Sequence, residues 1–252
     1  MLILALTALA PAADGCAPVS LAELTEAQAP AIVVLGETPG EADDLRRAAK
    51  VVRALRDRAR VTLAVEAVHA EQAATLKSLE AVTPNLDVVP DRVGWQQHWP
   101  WPYAGYRPLF ALGLSDVPGG VDLIAIGADP APPPGTVITT VPAGYGDRLA
   151  TLAGSSMPSF MRDRLARTRT WSDQVMAERA LNAWNGEGYL VVVADRTRVA
   201  GAGGIDWQLA QRTETPIIAA TLDWADADCV DGGLQWKSPT LSASLPAFLR
   251  PK

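Results

Sequence analysis

The chain has 252 residues, of which 48% are hydrophobic and 20% are charged, and its net charge at neutral pH is −6. This length and balance are typical of one large globular domain and exclude a disordered chain. The negative net charge argues against nucleic-acid binding, which requires a basic surface. The arginines of residues 46–60 share a predicted helix with Glu41, Asp43, Asp44 and Asp57, so they indicate a solvated helix face.

The first residues bear on the cellular compartment. Residues 1–10 form a short apolar run like the core of a secretory signal, although no Lys or Arg precedes it. We therefore expect a leader over residues 1–20 and an exported protein, located in the periplasm or anchored to a membrane as a lipoprotein. Gly15 suits lipid attachment at Cys16 and Asp14 does not. A disulfide between Cys16 and Cys229 is the alternative.

Six short stretches rich in Val, Ile and Leu lack polar alternation, which predicts strands buried on both faces of a parallel sheet. They are residues 31–35, 61–65, 122–126, 136–141, 189–194 and 216–222. Amphipathic or apolar periodicity predicts helices over residues 41–60, 69–82, 159–184 and 207–211.

The alternation of strands and helices predicts an α/β fold with three layers, in which a mostly parallel sheet is flanked by helices. We expect residues 21–252 to form a single domain. A helical and aromatic insertion is expected at about residues 85–170.

Two carboxylates follow the first two predicted strands: Glu37 lies just after the first strand and Glu66 ends the second. Ligands bind at the carboxyl ends of the strands in open parallel sheets, so the two side chains would converge if these strands are neighbours. They would then form a metal-binding, acid/base or ligand-orienting pair. The structural alternative for each is a helix cap or a loop salt bridge. The chain's two histidines do not have metal-ligand spacing, which argues against a zinc site.

An aromatic segment follows at residues 95–109. Flat rings with polar tips suit a planar ligand or a partner protein, and packing onto the sheet is the alternative. We expect a minority of these side chains to contact ligand, and His98 is a better functional candidate than His69, which lies at a helix start. The candidates are Trp95, His98, Trp99, Trp101, Tyr103 and Tyr106.

Four pieces of sequence, in this order and spacing, resemble one known family. They are VVLGE at 33–37, LAVE at 63–66, the aromatic segment, and the helix segment 173–177 followed by residues 190–205. Together they resemble the ChaN-like domain of the haem-binding-uptake, Tiki superfamily, from Ile32 to Arg212. The resemblance implies haem, or another planar or anionic small molecule, as the ligand, and it leaves a homodimer open. It adds Asp173, Met176 and Arg198 to the ligand-binding residues.

The chain departs from the family pattern at three positions. The resemblance implies that two histidines and a tyrosine of the family fall at Pro39, Arg198 and Gly201. Proline and glycine have no ligand side chain, and arginine stays protonated. Any haem ligand would then come from elsewhere, with His98, Tyr103 and Tyr106 as the candidates. Arg198 would pair with Glu37 or Glu66, or bind a propionate or another carboxylate.

The resulting hypothesis is an exported haem-binding or haem-uptake accessory protein, with a lipid at Cys16 as its only attachment to a membrane. One alternative is a non-catalytic binding or scaffold module that has lost the site. Another is a hydrolase that uses Glu37 and Glu66. Because related hydrolases pair a Glu with His, the loss of the histidines disfavours hydrolysis, and we assign no catalytic residue.

Overall fold

The structure is a computed structural model. It describes residues 17–80, 85–114, 120–129, 132–136, 138, 140–152, 156–199, 201–224 and 234–238. Most of the expected leader, together with Cys16 and Cys229, lies outside these residues. The leader, the lipid and the disulfide therefore stay predictions.

One sheet runs through the described part of the chain, and each pair of neighbouring strands in it is parallel. Its strand order is β1-β7-β6-β2-β5-β3-β4. The strands are β1 (Ala17–Pro18), β2 (Ala31–Glu37), β3 (Val61–His69), β4 (Val121–Gly127), β5 (Tyr189–Asp195), β6 (Ile217–Trp224) and β7 (Leu234–Ser238).

Helices occupy most of the connections between these strands, and no described helix is long and apolar enough to cross a bilayer. Short 3-10 turns lie at Ala70–Gln72, Leu86–Val88 and Arg196–Arg198. The α-helices are α1 (Leu21–Thr25), α2 (Ala42–Arg56), α3 (Ala73–Glu80), α4 (Val89–Arg92), α5 (Trp95–His98), α6 (Tyr103–Gly113), α7 (Tyr145–Leu152), α8 (Ser159–Ala183) and α9 (Ile205–Ala210).

The helices cover both faces of the sheet, as the side chains of the central strand β2 show. Successive residues of a strand point to opposite faces. Val33 packs in a core with α2 and α6, whereas Val34 packs in a second core with α8 and α9. The three-layer α/β prediction is therefore confirmed, and the aromatic segment lies on the α2 side through α5 and α6.

One expectation about the strands is wrong, and one condition attached to another is not met. The described members of 136–141, residues 136, 138, 140 and 141, are not in a strand. Their β-branched side chains favour a strand only where a sheet edge is present to pair with. In addition, β2 and β3 are not neighbours, because β5 lies between them. The sequence order of the strands does not reveal this insertion, since β5 comes about 120 residues after β3 along the chain.

Candidate functional site

The carboxyl ends of β2, β5 and β3 bring both predicted carboxylates to one edge of the sheet. Glu37 is paired in register with Asp195, the last residue of β5. Glu66 lies one residue after the Val65–Val193 pair on the other side of β5. The Asp195 backbone N–H donates to Glu66 Oε2 at 2.8 Å. The end of β5 therefore lies between the two carboxylates.

Arg198 lies buried against Glu66 and Asp173. Its Nε is 2.6 Å from Glu66 Oε1, and its Nη1 contacts Asp173 Oδ1. The same Nη1 donates to the Ser172 hydroxyl at 2.9 Å. On the opposite side of Asp173, the Tyr145 hydroxyl donates to Oδ2 at 2.8 Å. We call these five residues the strand-end cluster.

The charges in the strand-end cluster stabilise one another. Burial alone would lower the pKa of Arg198, but the carboxylates of Glu66 and Asp173 together raise it, so the guanidinium stays charged. Burial raises the pKa of both carboxyls, and Arg198 opposes that rise. Removing a single partner would leave an uncompensated charge in the protein interior.

Two glycines close the loop that leads from Arg198 to α9. Gly203 has φ +100°, and a Cβ there would lie 2.6 Å from the Tyr145 ring. Gly201 has φ +138°, and a Cβ there would approach the Arg148 guanidinium to 3.0 Å. Asp206 follows on α9 and accepts from the Gly201 N–H at 3.5 Å. Burial raises the pKa of Asp206 from 3.8 to about 6.

Glu37 lies beside the strand-end cluster and has a different partner. The Tyr106 hydroxyl donates to Glu37 Oε1 at 2.7 Å, and both side chains are buried. Burial raises the pKa of Glu37 well above its ordinary value, Tyr106 opposes the rise, and the carboxylates of Asp195, Asp44 and Glu66 add to it. Glu37 Oε2 has no hydrogen-bond partner within the described part of the chain. This carboxyl therefore favours its neutral form.

The aromatic segment is divided between the core and an open cavity. Trp95 is buried and contacts the rings of Tyr103, Tyr106 and Phe110, with centroids 5.0–5.8 Å apart. Its Nε1–H donates to the carbonyl of Trp101 at 2.7 Å, which holds the loop between α5 and α6. Trp95 and Tyr106 therefore pack this segment onto the sheet.

A cavity of about 860 Å³ opens on the other side of this segment. We call it the aromatic cavity; three indoles and one phenol form much of its wall, and Asp91, Gln96 and Gln97 add polar groups. Its volume falls within the range of about 300–1,000 Å³ usual for small-molecule sites. The four rings are those of Trp95, Trp99, Trp101 and Tyr103.

Tyr103 lines the aromatic cavity, and its hydroxyl lies below the protein surface. Its hydroxyl is buried and, among the residues that the structure describes, has no hydrogen-bond partner. Burial raises the pKa of this phenol above its ordinary value, so it remains a neutral hydrogen-bond donor at neutral pH. A buried hydroxyl without a partner costs free energy that a ligand acceptor would recover.

The two histidines lie together, outside the lining of the aromatic cavity. The rings of His69 and His98 stack with centroids 5.3 Å apart and an interplanar angle of 16°. His69 Nδ1 accepts from the Glu71 N–H and caps the turn that follows β3. His69 Nε2 is 3.3 Å from Asp129 Oδ1. Within the described residues, no group of three or more His, Cys, Asp or Glu side chains is suited to a metal ion.

The remaining predicted site residues lie on α8, where they face different surroundings. Asp173 joins the strand-end cluster, whereas Met176 packs in the apolar core with α9. Sequence reasoning missed Tyr145 and Ser172, which complete the cluster, and Asp195, whose backbone N–H donates to Glu66. Only Asp195 carried a sequence signal, because it directly follows the predicted strand at 189–194.

Residues 23–131 match a family described as haem-binding uptake, Tiki superfamily, ChaN. This match covers Glu37, Glu66 and the aromatic segment, and it confirms the resemblance to the ChaN-like domain over that region. No curated protein matches the chain.

Two solved structures are similar to this fold. ChaN of Campylobacter jejuni, described with haem bound cofacially, is 16% identical, with a TM-score of 0.59 over 79% of this chain and 84% of that chain. The type III effector HopBA1 is 15% identical, with a TM-score of 0.44 over 82% of this chain and 87% of that chain. At these identities the likeness to ChaN shows a shared fold.

Proposed function

Taking residues 23–131 as a ChaN-like region, we propose that this protein binds haem, or a planar ligand of similar size, in the aromatic cavity. The observation that carries the proposal is the cavity itself, which combines ring faces with the unpaired Tyr103 hydroxyl. Aromatic rings stack on flat ligands, and a small number of polar groups fix the ligand's orientation.

The strand-end cluster offers less to a ligand. The Arg198 guanidinium contacts two carboxylates and a hydroxyl, so a propionate would have to displace a carboxylate from a buried ion pair. The same contacts disfavour a hydrolase based on Glu37 and Glu66, because Glu66 is held by Arg198. Burial raises the pKa of Glu37, so this carboxyl favours the neutral acid and keeps Tyr106 as its hydrogen-bond donor.

The residues present fit haem by the volume of the cavity and by its aromatic wall, and they leave two candidates for the iron ligand. Tyr106 is committed to Glu37 and lies in the core, so it is removed from the candidates. Tyr103 lines the cavity, and His98 lies in the same segment with an exposed side chain. Tyr103 would hold a haem iron from the cavity wall, whereas His98 would hold it only if the ligand extends beyond the cavity lining.

We further propose that the site has diverged from the family pattern and that the protein is exported. Arg198 supports the divergence, because its ion pairs occupy the position where the resemblance places a histidine. Gly201 supports it too, since a larger side chain there would meet Arg148. The apolar run of residues 1–10 supports export, to the periplasm or to a lipid-anchored location.

Titration of the purified protein with haemin tests the proposal. We expect a saturable Soret shift at micromolar protein. Trp101→Ala should weaken haemin binding at least about fivefold, since one ring contact is worth roughly 1 kcal/mol beyond its buried area. The matched control is Trp207→Ala, which removes a half-buried indole on α9. The absence of a shift in the wild type, or equal weakening by both variants, would remove the proposal and favour a scaffold module without a haem site.

A further inference from the structure

Exposed apolar surface is concentrated at the start of α8. Within the described part of the chain, three large hydrophobic side chains are exposed: Phe160 at 70%, Met161 at 47% and Val88 at 41%. Two of the three are adjacent in sequence, in the first turn of α8. A lone exposed hydrophobic residue is ordinary, but two large ones side by side mark a contact surface.

Arginines continue the same face of the helix. Phe160, Arg164 and Arg167 follow one another at i, i+4 and i+7, which places them in one row along α8, and Met161 borders that row. Arg164 and Arg167 are both exposed, and the one acidic residue near them on this turn is Asp163. The other two arginines of this stretch face elsewhere: Arg162 pairs with Asp147, and Arg169 acts on the strand-end carboxylates.

Phe160 and Met161 form an apolar tip at the start of α8, and the exposed Arg164 and Arg167 follow it along the helix, so this end of α8 suits contact with the interface of an anionic bilayer. Phe and Met would enter the boundary between headgroups and acyl chains, while the long arginine side chains reach the phosphates. Since the whole chain carries a net charge of −6, an anionic surface would repel most of the molecule and select this face.

We propose that the face formed by Phe160, Met161, Arg164 and Arg167 docks the protein onto an anionic phospholipid bilayer. A second copy of the chain fits this face less well. A two-fold interface brings the same patch of each subunit together, so the arginines would face arginines. This inference is independent of haem binding and of a lipid at Cys16.

Sedimentation of the full-length protein with phospholipid vesicles tests the docking. We expect binding to vesicles that contain phosphatidylglycerol, weaker binding at high salt, and little binding to phosphatidylcholine alone. Phe160→Ser with Met161→Ser should lower the partition coefficient about tenfold or more, because the apolar insertion is lost. Arg164→Gln with Arg167→Gln should lower the partition coefficient roughly 30-fold, because each arginine near the surface contributes about 1 kcal/mol.

Two matched control variants test whether the loss of vesicle binding is specific to this face of α8. Val88→Ser removes the third exposed hydrophobic side chain, and Arg53→Gln with Arg92→Gln removes two exposed arginines elsewhere. Both controls should bind vesicles like the wild type. Any contribution from residues 1–16 is common to all variants and cancels in the comparison.

Three outcomes would overturn the docking proposal. The first is that the wild type fails to sediment with either vesicle. The second is that both face variants bind like the wild type. The third is that Phe160→Ser with Met161→Ser turns a dimer into a monomer and leaves vesicle binding unchanged, which would assign the face to a second copy.

Discussion

In the strand-end cluster the charged groups are already paired with one another, whereas the aromatic cavity keeps open space and an unpaired hydroxyl. Arg198 contacts Glu66 and Asp173 below the protein surface, and Tyr145 completes the arrangement. Tyr103 has no such partner among the described residues. The sequence singled out residues of both regions, but only one region retains the room and hydrogen-bonding capacity that a ligand requires.

The largest effect is expected from removing the central cation of the strand-end cluster. Arg198→Met leaves Glu66 and Asp173 buried without a counter-charge, so we expect the free energy of unfolding to fall by about 3–5 kcal/mol. Urea denaturation at pH 7 measures this change. Arg53→Met, which alters an exposed arginine of α2, should cost less than about 0.5 kcal/mol. A loss below about 1 kcal/mol for Arg198→Met would show that the cluster is open to water.

The next effect is a pH dependence of the free energy of unfolding, which we expect from Asp206 beside the strand-end cluster. Asp206 has a pKa near 6 in the folded protein, against 3.8 ordinarily. Between these values the folded state keeps a proton that the unfolded state has lost, so stability falls as pH rises from about 4 to 6. The contribution is about 2–3 kcal/mol. Glu37, whose pKa is also raised, acts in the same direction.

Asp206→Asn tests this pH dependence through urea unfolding at pH 4 and pH 7. The variant should lose less stability over that interval than the wild type does. Asp43→Asn is the control, because Asp43 pairs with Arg46 at the surface of α2. Equal pH dependence in the wild type and the Asp206 variant would show that this carboxyl is accessible to water.

A smaller effect on stability is expected from two hydroxyls of α6, that of Tyr106 beside the strand-end cluster and that of Tyr103 at the aromatic cavity. Tyr106→Phe removes the donor to Glu37 and should cost about 1–3 kcal/mol, because the buried carboxyl loses its partner. Tyr103→Phe removes a buried hydroxyl without a described partner and should stabilise the protein by about 1 kcal/mol or more, because the cost of the unpaired group is relieved. Thermal or urea unfolding of the two variants side by side gives the comparison. If Tyr103→Phe is the more destabilising, the cavity hydroxyl is structurally bound and is not kept for a ligand.

A further small effect is expected from the Ser172 hydroxyl of the strand-end cluster. Ser172→Ala removes one hydrogen bond to Arg198 and leaves both of its ion pairs, so we expect a loss of about 1 kcal/mol. The denaturation midpoint reports it. A loss as large as that of Arg198→Met would contradict the view that the carboxylates are the main partners of the guanidinium.

The sequence predicted the layers and the place of the carboxylates because both follow from local pattern. Uninterrupted apolar runs end in Glu37 and Glu66, and parallel strands bring their carboxyl ends to one edge. The strand order was not readable, since β5 enters between β2 and β3 from a distant part of the chain. The prediction of a strand at 136–141 was wrong because β-branched residues need a pairing partner as well as propensity.

The sequence could not distinguish the aromatic residues that pack in the core from those that line the cavity. Tyr103 and Tyr106 lie three residues apart on α6, and only packing against Glu37 assigns the second to the core. Similarly, Arg198 had two candidate partners in the sequence, Glu37 and Glu66, and its pairing with Glu66 and Asp173 depends on contacts across the fold. Tyr145 carried no local signal, because its role depends on Asp173 of the following helix.

The structure of the protein crystallised with haemin tests the central claim most directly. Our account predicts a porphyrin in the aromatic cavity, in contact with Trp99, Trp101 and Tyr103, with the ion pairs of Arg198 intact. A porphyrin bound at Glu37 and Arg198, with the contact between Arg198 and Glu66 broken, would contradict it.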